Sequence, residues 1–438
     1  MNRRIKLYAI VFLFITIFEP PFLPIPLIYI QGLIEILTLL LLRKNINWSV
    51  LKQSKMAQYA LIIFIMWFVI SINRLIDIIF FNGDPSFNNW LKSTNQFLLI
   101  TSIEFLNIYI FILFVKKNNL KLEQVLNLIT DVGALQGLLS LLAYVIPTLR
   151  ELFLAFAGEI YENSWLLQRR GYGFSFSLLD GFGFGMGIIA GLMIINFKVS
   201  NLKSVLLQLI KLAFVIFSVT VNSRTGLIII AFAFLIKLCI HKSLTTTFIM
   251  LPIVIFCCIV LVHLLIPLLN AGMASSNLTI SWISSDIGGL IKSFYPSADI
   301  NTTLVQAQNS SNAYYTNISD IEFPDHAFQI LFGKGWQVYY GTALGYRSDN
   351  GFVNDIWLVG VIGTIIYYAY NLYVNLRSSM ILHGKYLALM IFNFGSIIIY
   401  SLKGRPFGYS PGIVVFYLII FTLTYYGLTK SKDENDEN

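Results

Sequence analysis

Three short segments of the chain combine basic residues with glycine and small polar residues. The first is QRRGYG at 168–173, followed by DGFG at 180–183, and the second is NSRTG at 222–226. The third comprises FGKG at 332–335 and RSDNGF at 347–352. An arginine guanidinium makes forked hydrogen bonds to phosphate, and the free N–H groups of a helix start also favour an anion. These segments therefore indicate binding of an anionic, phosphate-bearing ligand.

Arg224 is the sharpest candidate because it stands between two apolar segments and is predicted to start a helix. Its alternative role is an interfacial arginine whose side chain reaches lipid phosphate. Arg169 and Arg170 have a similar alternative, as a positive pair beside the headgroup region. The alternative role of the glycines beside them is close helix packing, which small residues allow.

A general base needs a carboxylate or an imidazole near the reacting hydroxyl. Asp349 is the preferred candidate, and for each such residue the alternative is a solvated loop residue. The other candidates are Asp180, Asp320, Glu322, Asp325 and His326. Three acids within apolar segments, Glu35, Glu104 and Asp131, are predicted to face the protein interior as hydrogen-bonding groups, with Glu104 alternatively lining a cavity.

The sequence contains no Walker motif, no metal-ligand spacing of His and Cys, and no paired D-x-D in the loops predicted to be external. We therefore predict no metal and no cofactor. The three cysteines all lie in apolar stretches, so no disulfide is predicted. We also predict no nucleic-acid partner. Diphosphate chemistry without a metal requires other positive charge, which arginines can provide.

The composition places these segments in a membrane protein. Hydrophobic residues make up 57% of the chain and charged residues 12%, whereas soluble domains carry about 25% charged residues. Apolar runs of spanning length recur along the chain. They predict an all-α, polytopic helix bundle with about twelve membrane spans, at 5–18, 25–42, 57–80, 95–115, 122–146, 176–197, 203–221, 224–240, 247–268, 351–374, 386–402 and 411–428.

The predicted organisation is nine spans within 1–268, a large outer loop at 269–350, three spans within 351–428 and an acidic tail at 429–438. The outer loop is rich in Asn, Ser, Thr, Tyr and Gly, and loops of this length are usually functional. Part of it is predicted to be a surface helix, because five apolar residues share one helical face. They are Ile283, Ile287, Leu290, Ile291 and Phe294.

The distribution of basic residues predicts the orientation. Nineteen of the 30 lysines and arginines fall on one side of the predicted spans and ten on the other, with Arg74 near a helix end. The richer side is predicted to be cytoplasmic. Both termini are then cytoplasmic, with the first span a retained signal anchor in the inner membrane. Arginine makes up six of the ten outer residues but four of the nineteen inner ones, which is consistent with an anionic ligand outside or with small-number scatter.

With these features the chain resembles the bacterial O-antigen polymerase and O-antigen ligase superfamily, over essentially its whole length. The resemblance rests on the number of spans, the late outer loop, the Ser-Arg-Thr-Gly turn and the spacing Asn350-x9-Gly360. The Arg-x10-Gly spacing of polymerase outer loops fits Arg170 and Gly181. No second copy of that spacing is found, because Leu358 follows Arg347 at that distance.

The resemblance implies a metal-independent membrane glycosyltransferase with a bundle like that of the membrane glycosyltransferase C type. Its substrates would be undecaprenyl-diphosphate-linked glycans at the periplasmic leaflet, and a chain-length regulator and a flippase would be pathway partners. Ligases usually have His-Asn where this chain has Asp349-Asn350, which favours a polymerase of O-antigen or capsule repeat units. An O-antigen ligase and a flippase for lipid-linked sugars stay open as alternatives.

On this interpretation the predicted catalytic residues are Asp349, Arg224 and Arg170. Arg224 and Arg170 would hold the diphosphate and stabilise charge on the leaving group, and Asp349 would orient or deprotonate the acceptor. The predicted substrate-binding residues are Arg169, Arg170, Tyr172, Arg224, His326, Arg347, Asn350, Lys403 and Arg405.

Overall fold

The structure is a computed structural model of the 438-residue chain. It describes residues 3–20, 27–41, 48–81, 96–157, 171–175, 180–198, 201–240, 323–335, 350–381, 385–402, 404 and 410–436, with isolated positions between 266 and 288. The chain forms two compact units, one made of 1–234 with 321–438 and the other of 235–320. The second unit is described only at one helix end and at the isolated positions.

In the part of the chain that the structure describes, the regular elements are all α-helices. Their bounds are α1 Arg3–Phe18, α2 Leu27–Leu41, α3 Trp48–Gln53, α4 Met56–Phe80, α5 Gln96–Lys117, α6 Leu122–Val145, α7 Pro147–Ala157, α8 Asp180–Asn196, α9 Leu202–Asn222, α10 Arg224–Ile240, α11 Ala327–Phe332, α12 Gly351–Ile381, α13 Lys385–Ser401 and α14 Pro411–Asp436.

Four of the described helices are long and apolar enough to cross a membrane: 56–80, 122–145, 202–222 and 351–376. Shorter apolar helices cover 181–196, 225–239, 386–401 and 411–427. Several of these helices carry rows of exposed apolar side chains, which water would solvate poorly and lipid tails accept. On α4 the row is Leu61, Phe64, Ile65, Phe68, Ile72, Leu75 and Ile79.

The all-helical prediction is confirmed for the described residues, and their helices overlap eleven of the twelve predicted spans. Residues 247–265 of the predicted span 247–268 lie outside the described residues. So does most of the predicted outer loop, with the apolar face from Ile283 to Phe294. Three short helices, α3, α7 and α11, lie outside the predicted spans. Pro147 at the first position of α7 suits a helix start, because proline lacks the N–H that would be unbonded there.

The centre of the first unit is α8, in which residues 181–192 are all buried. It packs against α6, α9, α13 and α14. Glycine stands at every second position from Gly181 to Gly187, so two opposite faces of the helix start are thin. A Cβ on Gly187 would lie 3.0 Å from the Cα of Gly226, and one on Gly185 would lie 2.9 Å from the backbone nitrogen of Gly412. The glycines therefore allow the starts of α10 and α14 to contact α8 on opposite sides.

A break divides α12 at Gly360, which has φ 71° and ψ 177°. The break lies nine residues into the helix, which is about 14 Å along its axis. It interrupts the backbone hydrogen bonding of the preceding turn, and a neighbouring segment supplies donors there. The N–H of Lys334 donates to the carbonyl of Trp357 at 2.7 Å, and that of Gly335 to Leu358 at 3.2 Å. The segment 327–335 is thus fixed against the broken helix.

Candidate functional site

The turn between α9 and α10 contains a single residue, Ser223, with extended backbone. α9 ends at Asn222 and α10 begins at Arg224. The Ser223 hydroxyl accepts a hydrogen bond from the N–H of Gly226 at 3.4 Å, as expected for a helix cap. Arg224 therefore occupies the first position of α10, where the helix dipole is positive. Its side chain lies outside the described residues.

Three polar side chains hold the segment 171–173, two of them from α6 and one from the end of α9 at this turn. Gln136 donates to the carbonyl of Tyr172 at 2.7 Å, and the Ser140 hydroxyl donates to the carbonyl of Gly171. Asn222 donates to the same Gly171 carbonyl at 2.8 Å. The residue that follows Arg170 in the sequence is thus hydrogen-bonded to the turn that carries Arg224.

A left-handed backbone is needed at the end of this segment. Gly173 has φ +64°, and a Cβ there would lie 2.9 Å from the backbone nitrogen of Ser140. A side chain would therefore be strained and would displace α6. Gly173 therefore has a structural role, which is to set the backbone conformation of this segment.

The start of α8 joins the same cluster. α8 begins at Asp180, and Gly183 lies so close to Ser223 that a Cβ would overlap its side chain. Tyr172 packs edge to face on Phe182, with ring centroids 5.7 Å apart. Residues 171–173, the start of α8 and the α9–α10 turn therefore meet at one end of the bundle, although about fifty positions of sequence separate the first of them from the turn.

The last residues of the third basic segment, 350–352, reach this end through α12 and α13. Asn350 precedes α12, and its side-chain oxygen accepts from the N–H of Val353 at 3.3 Å. A Cβ on Gly351 would lie 2.7 Å from the carbonyl of Ser401 and would also meet the carbonyl of Gly404. Gly404 stands between Lys403 and Arg405 in the sequence.

An aromatic contact connects this region to α8. The rings of Phe184 and Tyr400 are stacked with centroids 4.0 Å apart and an interplanar angle of 2°. The residue Pro411 that begins α14 packs on the same side of α8. Four helix starts, those of α8, α10, α12 and α14, are therefore connected at one end of the first unit. Each contributes a partial positive charge from its dipole.

A buried polar network that the sequence analysis missed lies beside α11. Arg74 is 1% exposed and its guanidinium lies 3.0 Å from the Asp77 carboxylate. The side chain of Gln329 donates to the other oxygen of Asp77 at 2.9 Å, and Asn73 donates to the carbonyl of Phe332. Arg74, assigned to a helix end by the sequence, is thus buried in the interior. The network holds α11, which lies within the predicted outer loop, against α4.

The ammonium of Lys334 lies over the Trp357 ring, 4.9 Å from its centroid. This cation–π contact, together with the two backbone bonds to α12, indicates a structural role for the FGKG segment. Lys334 lies away from Asn350 along the axis of α12, because Trp357 is two helical turns further along that helix.

The predicted site residues divide into those that are described and those that are not. Tyr172 is 4% exposed and packs within the protein, and Asn350 caps α12. His326 is exposed, with its ring centroid 4.5 Å from that of Phe81. Their roles toward a substrate stay predictions. Outside the described residues lie Arg169, Arg170, Asp320, Glu322, Arg347, Asp349, Lys403 and Arg405, together with the side chains of Asp180 and Arg224.

The interior acids differ in their partners. Glu35 accepts from Gln31 at 3.2 Å and from the Asn107 amide, whereas Glu104 is 2% exposed and its Oε1 has no hydrogen-bond partner among the described residues. Asp131 instead forms ion pairs near the opposite end of the bundle, with Lys6 at 2.6 Å and with Lys211.

Within the described ranges, no group of three or more His, Cys, Asp or Glu side chains is arranged to hold a metal ion. No protein-family model matches the chain, and no curated protein is significantly similar to it. Over its described residues, the protein is thus an all-helical bundle of apolar helices in which several glycine-containing helix starts meet.

Proposed function

We propose that this protein polymerises undecaprenyl-diphosphate-linked repeat units into O-antigen or capsular polysaccharide at the outer leaflet of the cytoplasmic membrane. The observation that supports the proposal best is the hydrogen bond from Asn222 to the carbonyl of Gly171. It ties the residue after Arg170 to the turn before Arg224. Two arginines that are distant in sequence would thereby act on one diphosphate.

The charge at this end of the bundle fits an anionic ligand. Four helix starts meet there, each favouring negative charge, and basic residues adjoin them in the sequence. Arginine rather than lysine predominates, and its planar fork matches two phosphate oxygens. In the proposed topology of twelve spans with both termini cytoplasmic, this end faces the outside.

The proposed reaction transfers a glycan between two carrier-linked molecules. A hydroxyl of the acceptor sugar attacks the anomeric carbon of the donor, the bond from that carbon to the diphosphate oxygen breaks, and undecaprenyl diphosphate leaves. Asp349 takes or orients the hydroxyl proton. Arg224 and Arg170 bind the diphosphate and stabilise the negative charge that grows on its bridging oxygen, so that no metal is needed for this task.

Arginine substitutions test this proposal. Arg224→Ala and Arg224→Lys should both abolish long polymer at matched protein levels, because a point charge does not replace the fork. Arg170→Ala should also shorten the polymer. The loss of polymer in the double alanine variant should be well below the product of the two single losses, because both arginines act on one charge.

Arg150 provides a matched control. It belongs to the same predicted outer side but lies on α7, outside the basic segments. Arg150→Ala should leave the polymer at wild-type length. Normal polymer from Arg224→Ala would instead make Arg224 an interfacial anchor and remove the basis of the proposal.

Products of a deletion strain separate the polymerase from its alternatives. Loss of a polymerase leaves a lipid core capped with one repeat unit, or single lipid-linked units in a capsule producer. Loss of a ligase leaves long polymer on the carrier lipid and a bare core. The break in α12 favours the flippase among the alternatives, since interrupted helices are common in transporters. Loss of a flippase would trap single units on the inner leaflet.

A further inference from the structure

A cavity of about 350 Å³ opens at the other end of the first unit. It lies between the start of α1, the start of α6, the end of α8 and the first half of α9. The functional site contacts the opposite ends of α6, α8 and α9. The cavity is therefore separate from the proposed active site and independent of the proposed function. Its volume is within the range of small-ligand sites.

The cavity carries a small excess of positive charge. Three lysines and two carboxylates line it, which leaves a net charge of +1. Lys6 and Lys211 both pair with Asp131, whose side chain is only 11% exposed. Lys198 pairs with Glu123 at 2.9 Å on the more exposed side. Two ammonium groups are thus held about one carboxylate, and one positive charge stays uncompensated within the cavity.

The cavity also adjoins the surface that faces lipid. Leu207 lines it and is 53% exposed, as part of an apolar row on α9. The other exposed residues of this row are Leu202, Leu206, Leu209 and Ile210. A ligand in the cavity can therefore extend an apolar tail along α9. Polar side chains lie on the same wall: Gln208 is hydrogen-bonded to the backbone of Lys198 and to Ser204, and it fixes the Lys198 end of the cavity.

We propose that this cavity binds the phosphodiester headgroup of an anionic phospholipid in the leaflet at this end of the bundle. One phosphodiester carries one negative charge, which neutralises the excess of +1. Lys6 and Lys211 contact its oxygens, and its acyl chains lie on the apolar row of α9. Basic pockets between helices bind anionic headgroups in the same way on cytoplasmic membrane faces, the side to which the lysine distribution assigns this end.

A charge series on the full-length protein tests the proposal. Phosphatidylglycerol binding is measured in detergent micelles by native mass spectrometry, with phosphatidylcholine as the neutral reference. Each unit of charge at the membrane surface changes affinity by about fivefold. Asp131→Asn should tighten phosphatidylglycerol binding by about that factor, and Lys6→Gln should weaken it by about the same factor. The double variant Lys6→Gln/Asp131→Asn restores the net charge and should bind like the wild type.

The increase in Asp131→Asn is the discriminating result, because a damaged fold does not bind more lipid. Lys117→Gln is the matched control, an exposed lysine of the same end that does not line the cavity, and it should leave binding unchanged. Equal retention of phosphatidylcholine, or affinities that ignore the charge series, would overturn the proposal. The proposal would also be overturned if glycerol phosphate bound as tightly as the lipid, because the ligand would then be a soluble anion.

Discussion

Replacing Asn222 by alanine tests whether the 171–173 segment is positioned as the structure indicates. The Asn222 amide is buried and donates to the carbonyls of Gly171 and Ser218, each at 2.8 Å. The first bond joins two segments of the site, whereas the second lies within α9. Alanine removes both and leaves Ser140 as the described side-chain donor to the Gly171 carbonyl.

The expected cost follows from these two bonds. Each contributes about 1 kcal/mol net, so Asn222→Ala should lower the free energy of unfolding by about 2 kcal/mol. Loss of the bond to Gly171 alone, about 1 kcal/mol, should increase the fraction of molecules in which the 171–173 segment is released by about fivefold. Asn222→Asp should cost more, because a carboxylate would face two carbonyl oxygens in a buried site.

Asn375 is the control for the bond within the helix. It is also buried and donates to the carbonyl of Asn371, four residues earlier in α12, at 2.7 Å. Asn375→Ala should therefore lower stability by about 1 kcal/mol without affecting the 171–173 segment.

Hydrogen–deuterium exchange of the peptide that contains 171–175, measured on the purified protein in detergent, reports local release. Exchange should be about fivefold faster in Asn222→Ala and unchanged in Asn375→Ala. Under the proposed function, only the Asn222 variants should also shorten the polymer. Wild-type exchange in Asn222→Ala would refute the positioning argument, whatever the polymer length.

Three further predictions concern the elements around the site. Gly360→Ala should lower stability by more than a positive φ alone costs, which is about 1–2 kcal/mol, because a Cβ there would also overlap the carbonyl oxygen of Leu331; the helical Gly363→Ala should cost less in the same thermal unfolding assay. Asp77→Ala should cost about 3–5 kcal/mol, since it leaves a buried guanidinium without its carboxylate; a loss below about 1 kcal/mol would contradict this assignment. In a variant without native cysteines, Tyr314→Cys should react with an impermeant thiol reagent in intact cells and Lys121→Cys should not; the reverse pattern would invert the topology.

The helices were largely predictable because each apolar run carries its own signal. In lipid the backbone must satisfy its hydrogen bonds internally, so a long apolar run has the helix as its stable form. The break at Gly360 was not predictable in this way. It depends on donors from Lys334 and Gly335, which precede it by more than twenty residues and reach it only in the folded protein.

The charged residues of the proposed site were chosen by type and spacing, and their roles stay predictions. The side chains that hold the 171–173 segment were not chosen in this way, because they belong to α6 and α9. One local signal was present: Gln136 and Ser140, four residues apart, place two polar groups on one face of an otherwise apolar helix. The Arg74–Asp77 pair had a similar signal, a basic and an acidic residue three positions apart within an apolar span.

The glycines of α8 connect the two halves of the proposed site. On one face, Gly183 and Gly187 bring the start of α10 close, and on the opposite face Gly185 does the same for α14. A residue with a side chain at any of these positions would separate a helix start from the others and weaken their combined field, which falls off within a turn of each helix end. The Gly-x-Gly-x-Gly pattern of α8 therefore serves close helix packing, the alternative use predicted for the glycines near Arg169 and Arg170. It makes α8 narrow enough for the starts of α10 and α14 to lie against it, which is the arrangement that the proposed diphosphate site needs.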